Sequence, residues 1–75
     1  MKKQYFVRAD WDDEAKCWYV SDTNVPGLAT GADTLEELQE KLMVMVPEMI
    51  EENARPKQKT ISFDFLSTRR LFAHA

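Results

Sequence analysis

From Tyr5 to Trp11 apolar and polar side chains alternate. Tyr5, Val7, Ala9 and Trp11 share one side, and Phe6, Arg8 and Asp10 share the other. A period of two is the pattern of a strand with one buried face. The acidic run Asp12-Asp13-Glu14-Ala15-Lys16 suits a hairpin connection, and Cys17 to Ser21 (CWYVS) is aromatic and β-branched enough to be a second strand. Asp22 to Gly27 then reverses the chain. Pro26 presets its own φ and Gly27 accepts a positive one, which are the demands of a type II turn. Leu28 to Ala32 is expected to form a short third strand.

At Thr34 the period changes. Thr34-Leu35-Glu36-Glu37 matches a capping box, in which the threonine oxygen accepts from a free amide and Glu37 reaches back. The helix is expected from Leu35 to about Asn53. On a helical wheel Leu35, Leu38, Leu42, Met45, Val46, Met49 and Ile50 form one stripe, most simply the side packed on a sheet. Pro47 cannot donate to the carbonyl of Met43, so the helix should either bend there or stop near Val46 and restart. Ala54 to Lys59 reads as a loop. Lys59 to Phe65 alternates again, with Ile61, Phe63 and Phe65 on one face, as a fourth strand; residues 66–75 read as a tail or a short terminal turn.

The order β-β-β-α-β predicts an α+β domain. Three sequential strands form an antiparallel meander, and the helix returns the chain so that the fourth strand can pair parallel to the first through a right-handed crossover. One helix covers one face of that mostly antiparallel, four-stranded sheet.

With 75 residues the chain makes a single domain, with a core at about residues 5–65. A core of this size leaves roughly 3–5 kcal/mol of net stability, so reinforcement is expected. One cysteine cannot form an internal disulfide, and one cysteine with one histidine cannot close a zinc site. Self-association remains, so a homodimer is expected, with a tetramer as the alternative. A net charge of −3 argues against a general nucleic-acid binder. The basic clusters Lys2-Lys3, Lys57-Gln58-Lys59 and Arg69-Arg70 read as solvated ends and a loop. No apolar run reaches the ~20 residues of a membrane span, and the amino terminus lacks the run of a signal peptide. With a lone free cysteine, this points to the cytoplasm.

Catalytic constellations are thin, and neither a cofactor nor a metal is expected. There is no glycine-rich phosphate loop and no histidine–glutamate helix motif. Cys17 is mid-strand with only Lys16 nearby to activate it, which favours inert packing, and His74 lies at the end of the tail. Asp10, Asp12, Asp13, Asp22 and Asp64 sit on or beside strands, where converging carboxylates can hold magnesium for phosphoryl chemistry. Local hydrogen bonding in turns explains such aspartates more simply. The enzyme alternative, a metal-dependent nuclease, requires at least two of Asp10, Asp22 and Asp64 to share an ion.

Surfaces say more. Val44 falls opposite the buried stripe among Glu37, Glu40, Glu48 and Glu51, with Met43 and Pro47 to one side, and forms one candidate contact site. The uncovered sheet face, with Phe6 and Tyr19 and alongside them Cys17, forms the other.

A strand ending in an aspartate turn, then Trp18-Tyr19-Val20, Val25-Pro26-Gly27-Leu28 and Thr30-Gly31-Ala32-Asp33-Thr34-Leu35-Glu36-Glu37, resembles the amino-terminal domain of HicB-type antitoxins. Met45-Val46-Pro47-Glu48 is similar to a motif of short bacterial proteins of unknown function in the same superfamily. The resemblance covers about residues 5–65 and implies a partial ribonuclease-H-like fold without its active site. It also implies binding and blocking of a small basic ribonuclease, a HicA-type toxin. The separate carboxy-terminal DNA-binding domain of HicB proteins has no counterpart in this sequence, so direct DNA binding is not expected. A small regulatory RNA- or ligand-binding domain is a further alternative.

Overall fold

The computed structural model of the chain describes residues 4–53 and 61–74, the side chains of 51–53 excepted. Its elements are β1 (Tyr5–Asp12), β2 (Cys17–Thr23), β3 (Gly31–Ala32), α1 (Leu35–Asn53) and β4 (Phe63–Thr68). The four-stranded sheet has the order β3-β2-β1-β4. β1 pairs antiparallel with β2 and parallel with β4, and β2 pairs antiparallel with β3. The α+β class, the element order and the parallel return of β4 to β1 are those the residue pattern implies.

One layer of side chains between the sheet and α1 makes the core. Val7, Ala9, Leu38, Leu42 and Val46 are completely buried, with Trp18, Val25, Leu28, Ala32 and Ile50 nearly so. Tyr5, Trp11, Val20, Leu35, Met45, Met49, Ile61, Phe63 and Phe65 pack around this cluster. The strand alternations and the helix stripe thus meet on the expected faces. No helix among the described residues is long and apolar enough to cross a membrane.

Local chemistry explains the turns. The amide of Leu28 donates to the carbonyl of Val25 at 3.3 Å, and Gly27 has φ 73°, so Val25-Pro26-Gly27-Leu28 is the type II turn. Val25 and Leu28 both face the core, so the turn plugs the end of the domain while reversing the chain. In the β1–β2 hairpin, Asp12 Oδ1 accepts from the amides of Glu14 and Ala15 at 3.0 and 3.1 Å, and the amide of Lys16 donates to the Asp12 carbonyl at 2.8 Å. Lys16 closes this loop with φ 57°. At the helix start the amide of Glu37 donates to Thr34 Oγ1 at 3.1 Å, the threonine half of the capping box.

Two details correct the expectations, and two more bear on them. The third strand is not Leu28–Ala32 but only Gly31–Ala32; Leu28 belongs to the turn. The fourth strand starts at Phe63 and runs to Thr68, so Leu66, Ser67 and Thr68 are strand and not tail. Its start is dictated by β1, whose first residue Tyr5 pairs with Phe63. The loop expected at Ala54–Lys59 and the basic residues Lys2, Lys3, Lys57 and Lys59 lie outside the described residues. Finally, α1 runs unbroken through Pro47, so of the two alternatives the stop near Val46 and restart does not occur. The carbonyl deprived of a donor belongs to Met43, a residue 62% exposed, so solvent can satisfy it.

A bulge aligns the sheet. The β1–β2 register shifts between Arg8, opposite Asp22, and Ala9, opposite Val20, which leaves Ser21 as an extra residue. The shift puts Thr23 opposite Val7 on the core side. There Thr23 Oγ1 donates to the Phe6 carbonyl at 2.6 Å and accepts from the amide of Val25 at 3.1 Å. Beyond the strand end the Asn24 side chain acts as a further peptide unit. Its Oδ1 accepts from the Phe6 amide at 2.9 Å, and its Nδ2 donates to the Gln4 carbonyl at 2.7 Å.

Candidate interaction surfaces

Because one helix covers one face, the described residues leave the other face of the sheet open. The register places Phe6, Arg8 and Asp10 of β1, Asp22, Tyr19 and Cys17 of β2, and Asp64 and Leu66 of β4 on it. Tyr19 is 42% exposed and Leu66 50%. Phe6 is on this face as expected but only half-buried there. Phe6 and Tyr19 do not form one patch: Tyr19 lies opposite Asp10, two same-face positions along β1, with Arg8 between. Arg8 Nε is 3.9 Å from Asp10 Oδ1, a loose and exposed pair that adds little stability.

The second candidate surface is the outer side of α1. Met43 and Val44 are 62% and 60% exposed, and Pro47 is half-buried. Glu37, Glu40 and Glu48 surround Val44 and are exposed as well. Lys41, on the flank, is engaged elsewhere: its Nζ donates to the Gly31 carbonyl at 2.7 Å, tying helix to edge strand. The two candidate surfaces therefore lie on opposite sides of the domain, and the fold does not bring them together. Pro26 and Gly27 stand in the turn, and Thr34 caps the helix by accepting from the backbone amide of Glu37.

A third feature was not anticipated. Trp11 and Trp18 meet edge to face, with ring centroids 5.5 Å apart. Arg69 lays its guanidinium carbon 4.2 Å from the centre of the Trp11 ring. The Trp11 indole N–H also donates to Asp13 Oδ1 at 3.2 Å, and Lys16 Nζ sits 3.2 Å from the same oxygen. The indole hydrogen bond first, then Lys16, holds the Asp13 carboxyl below the ordinary carboxylate range. The available signal was the parallel register itself: continuing past Asp10–Thr68 brings Arg69 beside Trp11. Beyond Arg69 the described residues have no regular structure, and Leu71 and Phe72 are 76% and 85% exposed.

The carboxylates do not gather. Asp64, Asp22 and Asp10 stand beside Phe6, beside Arg8 and at position 10 of β1, three successive same-face positions with Arg8 among them. Among the described residues no three histidine, cysteine, aspartate or glutamate side chains come together as a metal-binding group. Cys17 is a free, half-buried thiol.

This compact sheet-and-helix domain matches a known family over nearly its whole length. The chain belongs to the family described as a domain of unknown function, DUF1902, which matches residues 4–73. A solved structure agrees with it: the crystal structure of hypothetical protein TTHA1013 from the extremely thermophilic bacterium Thermus thermophilus. The two share 45% sequence identity over 95% of this chain and 100% of that one, with a TM-score of 0.76. No curated protein matches the chain.

Proposed function

We propose that this chain is a cytoplasmic, non-catalytic protein-binding module of the HicB-like, antitoxin-like kind. Its partner is a small basic protein such as a HicA-type ribonuclease toxin. One observation supports this above the others: the outer side of α1 presents Met43 and Val44, both more than half exposed, within a ring of exposed glutamates. An apolar centre with an acidic rim suits a basic protein surface, since the apolar contact contributes affinity and the charges steer encounter and exclude acidic competitors. The resemblance of the turn and cap motifs to HicB domains points the same way, although those motifs are structural and carry the fold more than the function. The module self-associates, and the open sheet face is the surface for it.

The reading is tested by affinity purification from the native cells with the wild-type chain and with Val44→Lys, each first shown by circular dichroism to be folded. The wild type should recover a small basic protein in comparable amount, and Val44→Lys should lose it. Recovery of no basic protein, or equal recovery by both chains, refutes the reading. Manganese-dependent cleavage of RNA by the purified chain would instead favour the nuclease alternative.

A further inference from the structure

The carboxy-terminal arm and the open sheet face are complementary in both charge and polarity. Among the described residues the face carries Asp10, Asp22 and Asp64 against Arg8, with Phe6, Tyr19 and Leu66 between them. The arm reads Arg69-Arg70-Leu71-Phe72, two cations followed by the two most exposed large hydrophobic side chains among the described residues. Leu71 and Phe72 bury almost nothing on their own chain, at 76% and 85% exposed.

Geometry keeps the arm off its own sheet. Arg69 is held on Trp11, whose ring packs on the core side, so the arm starts at the sheet end, past the Asp10–Thr68 pair. Returning to the Phe6–Asp64 pair from there means covering the four residues back to Asp64, about 13 Å at ~3.3 Å per residue. A reversal takes about four residues, nearly all of the arm from Arg70 to His74. The extended arm suits the face of another molecule and not its own. The long dimension of the chain, 53 Å against 22 and 17 Å, fits a segment that stands off the domain.

We propose that the chain forms a homodimer by arm exchange, each copy laying Arg70, Leu71 and Phe72 across the open sheet face of the other. The contact is isologous, so it closes as a symmetric pair and leaves no unsatisfied copy of the surface. Arg70 and Phe72, two apart and so on one side of the extended arm, face the sheet: Phe72 supplies the apolar contact beside Phe6, Tyr19 and Leu66, and Arg70 meets the aspartates. Arg69, by stacking on Trp11, sets the direction in which the arm leaves. This deepens the reading of the open face as the self-association surface, and it leaves the α1 face available for a basic partner.

Sedimentation equilibrium of the full chain tests the exchange, using Phe72→Glu, Arg70→Glu and Leu66→Lys. All three side chains are exposed, so circular dichroism should stay native. The wild type should be dimeric at about 100 µM, and Phe72→Glu should raise the dissociation constant by about tenfold or more, as loss of an interface aromatic does. Arg70→Glu and Leu66→Lys should weaken it too, and added salt should weaken the wild type. A monomeric wild type overturns the proposal. So does a Phe72→Glu chain that associates like the wild type, or one that dissociates while Leu66→Lys has no effect, which would place the arm elsewhere. Partner capture separates this from the functional reading. A Phe72→Glu chain that stays dimeric and still captures a basic protein sinks the arm exchange alone. A monomeric one supports the exchange, and if the wild type also captures no basic protein, the partner reading alone falls.

Discussion

Gly31 is one half of a two-residue strand, and it is a glycine for a steric reason. A Cβ placed there would lie 2.7 Å from the carbonyl oxygen of Trp18 and 3.6 Å from the Cα of Tyr19. Both are backbone atoms of β2, the sheet's second strand, so neither can rotate away. In Gly31→Ala the edge strand must therefore lift from β2. Forcing a methyl into such a space costs typically about 1–3 kcal/mol. Lifting also threatens the bond from the Val20 amide to the Thr30 carbonyl, 3.0 Å in the native chain, and such a bond contributes about 1 kcal/mol. A total near 3 kcal/mol would lower the melting temperature by about 12–24 °C in a domain of this size. Gly27→Ala is the control, because a Cβ there meets only Met49 Sδ at 3.9 Å and the cost arises from φ 73° alone, roughly 1 kcal/mol. Urea titration followed by circular dichroism measures both. If Gly31→Ala lost less than about 0.5 kcal/mol, within the range of ordinary surface substitutions, β3 could not be packed as described.

Three further outcomes are expected. Leu38→Asp or Leu42→Asp puts a carboxylate where the native side chain is 0% exposed, at a site where Leu→Ala alone costs about 2–5 kcal/mol; neither variant should show a cooperative thermal transition, and a native-like one would show the stripe is not buried. Asn24→Ala removes the partner of the Phe6 amide and should destabilise by about 1–3 kcal/mol, with hydrogen exchange at Phe6 rising sharply; unchanged exchange would deny the side-chain bridge. Asp13 should titrate below the ordinary aspartate range by carbon-detected NMR, and Trp11→Phe should move it back upward. Because its folded pKa is depressed, the stabilisation is present above the unfolded pKa and is lost as pH falls through the folded value; an Asp13 that titrates as low in Trp11→Phe as in the wild type would deny the indole bond.

The elements most legible in the sequence are those whose signals are local. The alternation of Tyr5–Trp11, the Pro26-Gly27 turn and the Thr34 cap each depend on residues within a few positions, and each forms where its residues ask for it. Element ends that depend on a distant partner were not legible. Ile61, Phe63 and Phe65 face the core whether the strand begins at Lys59 or at Phe63, so only pairing with Tyr5 decides. The same holds for Ser21: an extra residue in β2 has no signature until β1 lies beside it. Arg69 reads as one of two solvated arginines until the parallel register sets it over Trp11. Of the candidate surfaces, Met43, Val44 and Tyr19 were legible from periodicity. Leu66 was missed because its strand was expected to end at Phe65, and Leu71 and Phe72 because a segment without a period offers no face to assign.

Protein binding as the work of this chain is tested most directly by native mass spectrometry of the chain purified at natural abundance from its own cells. The expected species is a dimer of this chain carrying a small basic protein, and Val44→Lys should strip the partner without dissolving the dimer. A chain recovered with no protein partner across several growth conditions would contradict it.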